Sequence, residues 1–201
     1  MKRLIVGVAG ASGVIYAIRL LEVLQEVPEI ETHLVLSNAA KQTIVLETDY
    51  SVEAVQALAD VCYRFSDIAA AVASGSFRTI GMVVVPCSMK TLSGIAMSFS
   101  NNLLLRAADV TLKDRRRLVL VPRETPLHLG HLRLMTQVTE MGAVLMPPMP
   151  AFYHHPQTLD DIINQTINRI LDVLDIELAQ DLFKRWQGPQ HARRTNQESS
   201  D

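Results

Sequence analysis

The stretch Leu118-Val119-Leu120-Val121 runs straight into Pro122-Arg123-Glu124-Thr125-Pro126, so an apolar segment delivers a guanidinium and a carboxylate between two prolines. A continuous apolar run of this kind reads as a central parallel strand covered on both faces. Ligands of open α/β sheets collect at the carboxyl ends of such strands. Three other strand ends carry residues suited to an anion. Gly10-Ala11-Ser12-Gly13 lets backbone amides and a hydroxyl approach a phosphate at a helix start. Ser37 closes a second apolar run, and Pro86-Cys87-Ser88-Met89-Lys90-Thr91 sets two hydroxyls and an ammonium at the start of another helix. The glycine spacing is not G-x-G-x-x-G, and Ser37 stands where a dinucleotide-binding acid belongs. A mononucleotide phosphate therefore fits better than NAD.

Other charged residues extend this chemistry. Arg106, Asp109 and Lys113 fall at i, i+3 and i+7 and share a helix face. Convergence of Arg106 and Lys113 with Arg123 would suit a phosphate-bearing substrate. Arg169 lies at the margin of the apolar arc of the last long helix, where its stem can snorkel or its head can reach a neighbour's pocket. His128 and His131 are spaced i, i+3 and His154-His155 are adjacent, yet no third ligand has a recognised spacing, so no metal is expected. The Gly10 turn is not the G-x-S-x-G of a serine hydrolase. Cys87 is a nucleophile candidate at a strand end, with no histidine marked as its base.

The elements that position these residues alternate. Strands are predicted at Leu4–Ala9, His33–Ser37, Val61–Phe65, Ile80–Val85, the run ending at Pro122, and Ala143–Met146. Helices are predicted at Val14–Val27, Ala39–Glu47, Ser51–Ala59, Met89–Met97, Leu103–Lys113 and His128–Met141, with a last one capped by Thr158. Residues 69–77 fit either type. The alternation implies an α/β fold with a doubly wound, mostly parallel, Rossmann-like sheet. With 48% hydrophobic residues among 201, a single domain over 1–186 is expected, and the polar, aperiodic tail over 187–201 reads as disordered. A net charge of -2 provides no overall field for nucleic acid or an anionic membrane. Cys62 and Cys87 match no disulfide or metal spacing, which suits a cytoplasmic protein. Gly7, Gly10 and Gly13 interrupt the first apolar segment, and no run reaches the roughly 18 apolar residues of a membrane span.

Taken together, Gly10-Ala11-Ser12-Gly13, Glu47-Thr48-Asp49, Ser74-Gly75-Ser76, Pro86-Cys87-Ser88 with Lys90-Thr91, Arg106-Ala107-Ala108-Asp109, Lys113, Val121-Pro122-Arg123-Glu124 and Pro150-Ala151-Phe152-Tyr153-His154 resemble the flavin prenyltransferases. The resemblance runs in order from about residue 3 to Trp186. It implies a Rossmann-like flavoprotein that transfers a dimethylallyl group from dimethylallyl phosphate to N5 and C6 of reduced FMN without a metal. Prenylated FMN would then serve a separate UbiD-type decarboxylase of ubiquinone biosynthesis or phenolic acid breakdown. FMN would be held by Gly10, Ala11, Ser12, Ser37, Ser88, Met89, Lys90, Thr91 and Arg123. The prenyl phosphate would be gripped by Arg106, Lys113, Glu124, Tyr153 and Arg169, the last two pairing function across subunits: Tyr153 and Arg169 would come from a neighbour in a homododecamer. Glu47, Ser12 and Glu124 are the implied catalytic residues. Two alternatives stand beside this reading. A related flavin-dependent cysteine decarboxylase has P-A-S-A-N-T and Pro-x-Met-Asn segments, where this chain has Pro86-Cys87-Ser88-Met89-Lys90-Thr91 and Pro122-Arg123-Glu124-Thr125-Pro126. A non-catalytic FMN carrier would release its flavin unchanged.

Overall fold

Both faces of the central strands are apolar, so each strand feeds two cores at once. The computed structural model describes residues 1–189; residues 190–201, most of the polar tail, lie outside the described residues. Six strands, β1 (Lys2–Val8), β2 (Ile30–Leu36), β3 (Val61–Tyr63), β4 (Gly81–Cys87), β5 (Arg117–Pro122) and β6 (Val144–Leu145), form one sheet in the order β3-β2-β1-β4-β5-β6. Every pairing is parallel. The helices are α1 (Val14–Gln25), α2 (Asn38–Glu47), α3 (Val52–Ala57), α4 (Met89–Ala96), α5 (Leu103–Lys113), α6 (Leu129–Glu140) and α7 (Leu159–Val173).

Alternate strand residues sort into the two cores. Leu4, Val6, Leu34, Val83 and Val119 pack with the buried faces of α1 and α7. Ile5, Val35, Met82, Val84, Leu118 and Leu120 pack with α4, α5 and α6. Right-handed crossovers require this arrangement: the chain moves outward from β1 to β2 over one face, and from β4 to β5 over the other. The direction of winding reverses between β1 and β4, which opens a crevice beyond their carboxyl ends.

Element limits differ from expectation where polar residues sit in strands. β2 begins at Ile30 rather than His33, because the polar Glu31 and Thr32 conceal its start. Thr32 is held there by Asp60, whose Oδ2 accepts from the Thr32 amide at 2.7 Å and hydroxyl at 2.8 Å. β3 stops at Tyr63, an edge strand paired through three residues with β2 alone. β4 continues through Pro86 to Cys87, with a register shift that accommodates a residue lacking an amide donor. Within 69–77 only Ala71–Ala73 is regular, as a single 3-10 turn.

One buried polar group was not anticipated. His33 is 2% exposed on β2, with Nδ1 3.0 Å from the Tyr63 hydroxyl and Nε2 3.0 Å from Glu31 Oε1. Phe77 meets the ring edge-on at 5.1 Å, and Arg3 covers Phe77 at 4.6 Å. Burial holds the His33 pKa below its ordinary 6.5, with Glu31 opposing the shift. The unfolded chain therefore takes up a proton before the folded one does. Stability from this site is full above 6.5 and lost as pH falls through the folded value. The melting temperature is expected to drop as pH is lowered below about 6.5, and His33→Gln should flatten that slope. Calorimetry across the range checks it; an unchanged slope in the variant would assign the pH dependence elsewhere.

Candidate active site

Backbone hydrogen bonds lace four strand ends into one rim. The Ala9 amide donates to the Pro86 carbonyl at 3.1 Å, Ser37 to Val8 at 3.0 Å, and Arg123 to Cys87 at 3.3 Å. Helices α1, α2 and α4 all begin at this rim, so their amino-terminal partial charges face the crevice. Ser37 caps α2 by accepting from the Ala40 amide at 3.0 Å, and Ser88 caps α4 by accepting from the Thr91 amide at 3.2 Å. The Ser88 hydroxyl also donates to Thr91 Oγ1 at 3.1 Å. Helix α1 differs: Gly13, in the left-handed region at φ 99°, precedes it, and no side chain caps it.

Both ends of α2 bear on the Gly10–Gly13 turn. At its start, Ala39 lies so close that a Cβ on Gly10 would stand 2.2 Å from the Ala39 Cβ. At its end, Glu47 accepts from the Gly13 amide through Oε2 at 2.8 Å. Helix α2 is thus a bar across the turn, fixing it at two points. Arg123, Glu124 and Lys90 stand exposed at the same rim, and the Glu124 carboxylate accepts from the Thr125 amide at 3.2 Å. Ala11 and Ser12 are half-buried, while Met89 is buried beneath the α4 start. Small residues, hydroxyls, helix amides and a guanidinium make a cradle that fits a flavin mononucleotide phosphate.

The remaining predicted residues make other contacts within one chain. Arg106 pairs with Asp109 at 2.8 Å and donates from Nε to the Ala73 carbonyl at 3.2 Å. Lys113, at the end of α5, pairs with Asp114 at 2.8 Å. Asp114 in turn binds Arg116, which ties the Gly75 and Phe77 carbonyls to the start of β5. Lys113 and Arg123 therefore lie at opposite ends of β5, whose six residues span roughly 20 Å. Lys113 and Arg123 do not converge within one chain, because α5 runs back toward the amino edge of the sheet, whereas Arg106 stands in the first turn of α5, whose Leu103 amide donates to the Phe65 carbonyl just beyond β3 at 3.0 Å. Tyr153 packs edge-on to Trp186 at 6.0 Å and Phe183 at 6.4 Å, and exposed Arg169 pairs with Asp172 at 2.9 Å. Neither touches the rim residues of its own chain in any of these contacts.

Cys87 is not a nucleophile. It is fully buried, and desolvation pushes its thiol up to about 12. His128 stands before α6 rather than in it, where Nδ1 accepts from the Gly130 and His131 amides at 3.0 and 3.4 Å. Among the described residues no three His, Cys, Asp or Glu side chains are grouped to hold a metal ion. A cavity of about 530 Å³ lies under the carboxyl-terminal segment, lined by Asn168, Asp172, Asp181 and Arg185 among others; its Asp175 pairs with Arg117 at the start of β5, the end opposite the rim. The ion-pair cluster beside it has no counterpart in the sequence reading, although the i, i+3 spacing of Arg169 and Asp172 and the i, i+4 spacing of Asp181 and Arg185 were available signals.

A doubly wound parallel sheet with a mononucleotide cradle at its winding reversal defines a flavin-binding Rossmann-like protein. In keeping with this, residues 1–176 match the Flavoprotein family. The chain is 68% identical over 188 residues to the flavin prenyltransferase UbiX of Escherichia coli K12, covering 94% of this chain and all of that one. Among solved structures, a dodecameric FMN-dependent UbiX-like decarboxylase from Escherichia coli O157:H7 superposes with a TM-score of 0.90 at 52% identity, over 93% of this chain and all of the other. AnUbiX (PadA1), solved with FMN and dimethylallyl pyrophosphate, superposes at 0.89 with 49% identity, over 94% and 98%. The chain belongs to the flavin prenyltransferase family.

Proposed function

We propose that this protein attaches a dimethylallyl group from dimethylallyl phosphate to N5 and C6 of reduced FMN. The observation that carries the reading is the convergence of the α1, α2 and α4 amino termini with Arg123 at the β1/β4 crevice, in a chain so similar to a flavin prenyltransferase. Bound reduced FMN supplies the nucleophilic ring atoms. The protein supplies binding, orientation and charge. Gly10, Ala11, Ser12, Ser37, the segment from Ser88 through Met89 and Lys90 to Thr91, and Arg123 hold the cofactor. Glu124, adjacent to Arg123, faces the donor.

Arg106, Lys113, Tyr153 and Arg169 complete the donor site. Within one chain Tyr153 packs on the segment after α7 and Arg169 pairs with Asp172, and these two are contributed by a neighbouring subunit of a homo-oligomer, a dodecamer by likeness to the E. coli O157:H7 structure. Cations and a phenol placed around the phosphate stabilise the charge it gains as the allylic C–O bond opens. Glu47 and Glu124 move the proton required for ring closure, with Ser12 orienting the reacting groups. The enzyme is a single domain over residues 1–186 that works in the cytoplasm without a metal, and its product serves a UbiD-type decarboxylase. No helix of the described residues is long and apolar enough to cross a membrane.

Anaerobic incubation with reduced FMN and dimethylallyl phosphate, followed by mass spectrometry of the bound flavin, tests the proposal. A flavin heavier by one prenyl unit is expected. Unmodified FMN, with reduction and donor verified, would instead mark a carrier.

A further inference from the structure

The segment after α7 returns along that helix and is pinned by one arginine. Arg185 donates from Nη1 and Nη2 to Asp172 Oδ2 and Oδ1 at 2.9 and 2.8 Å, and from Nε and Nη2 to Asp181 Oδ2 and Oδ1, both at 2.6 Å. Arg169 reaches the same Asp172 Oδ2 through Nη1 alone, at 2.9 Å. Buried Asn168 adds a third anchor, accepting from the Leu182 amide at 2.8 Å. The same segment carries Phe183 and, just past Arg185, Trp186 against Tyr153. A single strap therefore touches Tyr153 directly and reaches Arg169 through the Asp172 carboxylate that Arg169 and Arg185 share.

The charges explain why two arginines share one carboxylate. Alone with Arg169, Asp172 would close both oxygens on that guanidinium as a bidentate pair and compete with an incoming phosphate. Arg185 occupies both oxygens first, so Arg169 is left with one shared contact and the rest of its fork open. Asp172 remains ionised, its pKa lowered chiefly by Arg185.

Resting on the donor-site reading above, we propose that Arg185 is a positioning residue that sequesters the Asp172 carboxylate and thereby keeps the Arg169 fork available to the prenyl phosphate. Asp172 acts with it as the hinge of the clasp, orienting Arg169 without touching substrate.

Steady-state kinetics with dimethylallyl phosphate and reduced FMN on the full oligomeric enzyme tests this. Arg185→Gln is expected to raise KM for dimethylallyl phosphate on the order of tenfold, with kcat changed less and FMN affinity unchanged. In Arg185→Gln/Asp172→Asn the competing carboxylate is gone, so KM should return most of the way to the wild-type value. Arg185→Lys, which keeps the charge but cannot span both oxygens, should fall between. An unchanged KM in Arg185→Gln overturns the proposal, as does a double variant no better than the single, which would show only a strap that has come loose. Arg169→Gln separates the two readings. A raised KM there, with Arg185→Gln silent, sinks the clasp alone; an unchanged KM in Arg169→Gln removes the donor-site reading and this proposal together.

Discussion

Glu47→Gln is expected to slow prenyl transfer by on the order of 10²- to 10⁴-fold while FMN stays bound, the range typical of losing a positioned proton-transfer group. The geometry makes this substitution more informative than it is in most enzymes. Glu47 Oε2 accepts from the Gly13 amide at 2.8 Å, so the side chain has a structural duty at the start of α1 in addition to any chemical one. A glutamine oxygen accepts the same hydrogen bond at nearly the same reach. It cannot take up or release a proton. Glu47→Ala, by contrast, removes the acceptor as well, and the Gly13 turn loses one of the two points at which α2 holds it. Flavin titration and single-turnover kinetics on the pair therefore separate the roles. The expected pattern is slow chemistry with full flavin in the glutamine variant, and slow chemistry with weakened flavin binding in the alanine variant. Normal single-turnover rates in Glu47→Gln would restrict Glu47 to a structural role and leave Glu124 to carry the proton.

What the sequence discloses about this site depends on how far each contact reaches along the chain. Ser37, Ser88 and Arg123 were legible because each sits immediately after an apolar run, where strand-to-helix geometry is local. The two-core arrangement was legible for the same reason: continuous apolar strands require cover on both faces. Lys113 shows the limit. Helical spacing placed it on a face with Arg106, but only the route of α5 back to the start of β5 decides that it lies at the far end of the sheet from Arg123. The Glu47–Gly13 hydrogen bond spans 34 residues, and no periodicity encodes it. His33 escaped notice because a lone histidine at the head of an apolar run resembles any strand-end residue until Tyr63, Glu31 and Phe77 are seen around it. The strap fared worse. The sequence reading assigned nothing to Arg185 and Asp181, because their meaning rests on Asp172 of α7 standing between two guanidiniums.

Gly10→Ala should abolish or severely weaken FMN binding even though a single methyl is added. The new Cβ would stand 2.2 Å from the Ala39 Cβ and 3.1 and 3.2 Å from the Ala39 backbone, distances that cannot be absorbed by a side-chain rotation. Either the turn or the first turn of α2 must move. Movement of the turn shifts the α1 amino terminus and Ser12, while movement of α2 shifts Ser37 and, through the far end of the same helix, Glu47. Both routes break the cradle, because its anion-binding amides act only when aimed at one point. Overpacking of this kind costs about 1–3 kcal/mol in stability, so a lower melting temperature should accompany the loss of flavin. Ala39→Gly in the same chain removes the closest clash but leaves the backbone contacts, and should recover flavin content in part. Absorbance of the purified protein and thermal melts with and without FMN report on both effects. Wild-type flavin content in Gly10→Ala would mean that α2 does not set the position of the turn, and the bar-like role assigned to that helix would fall with it.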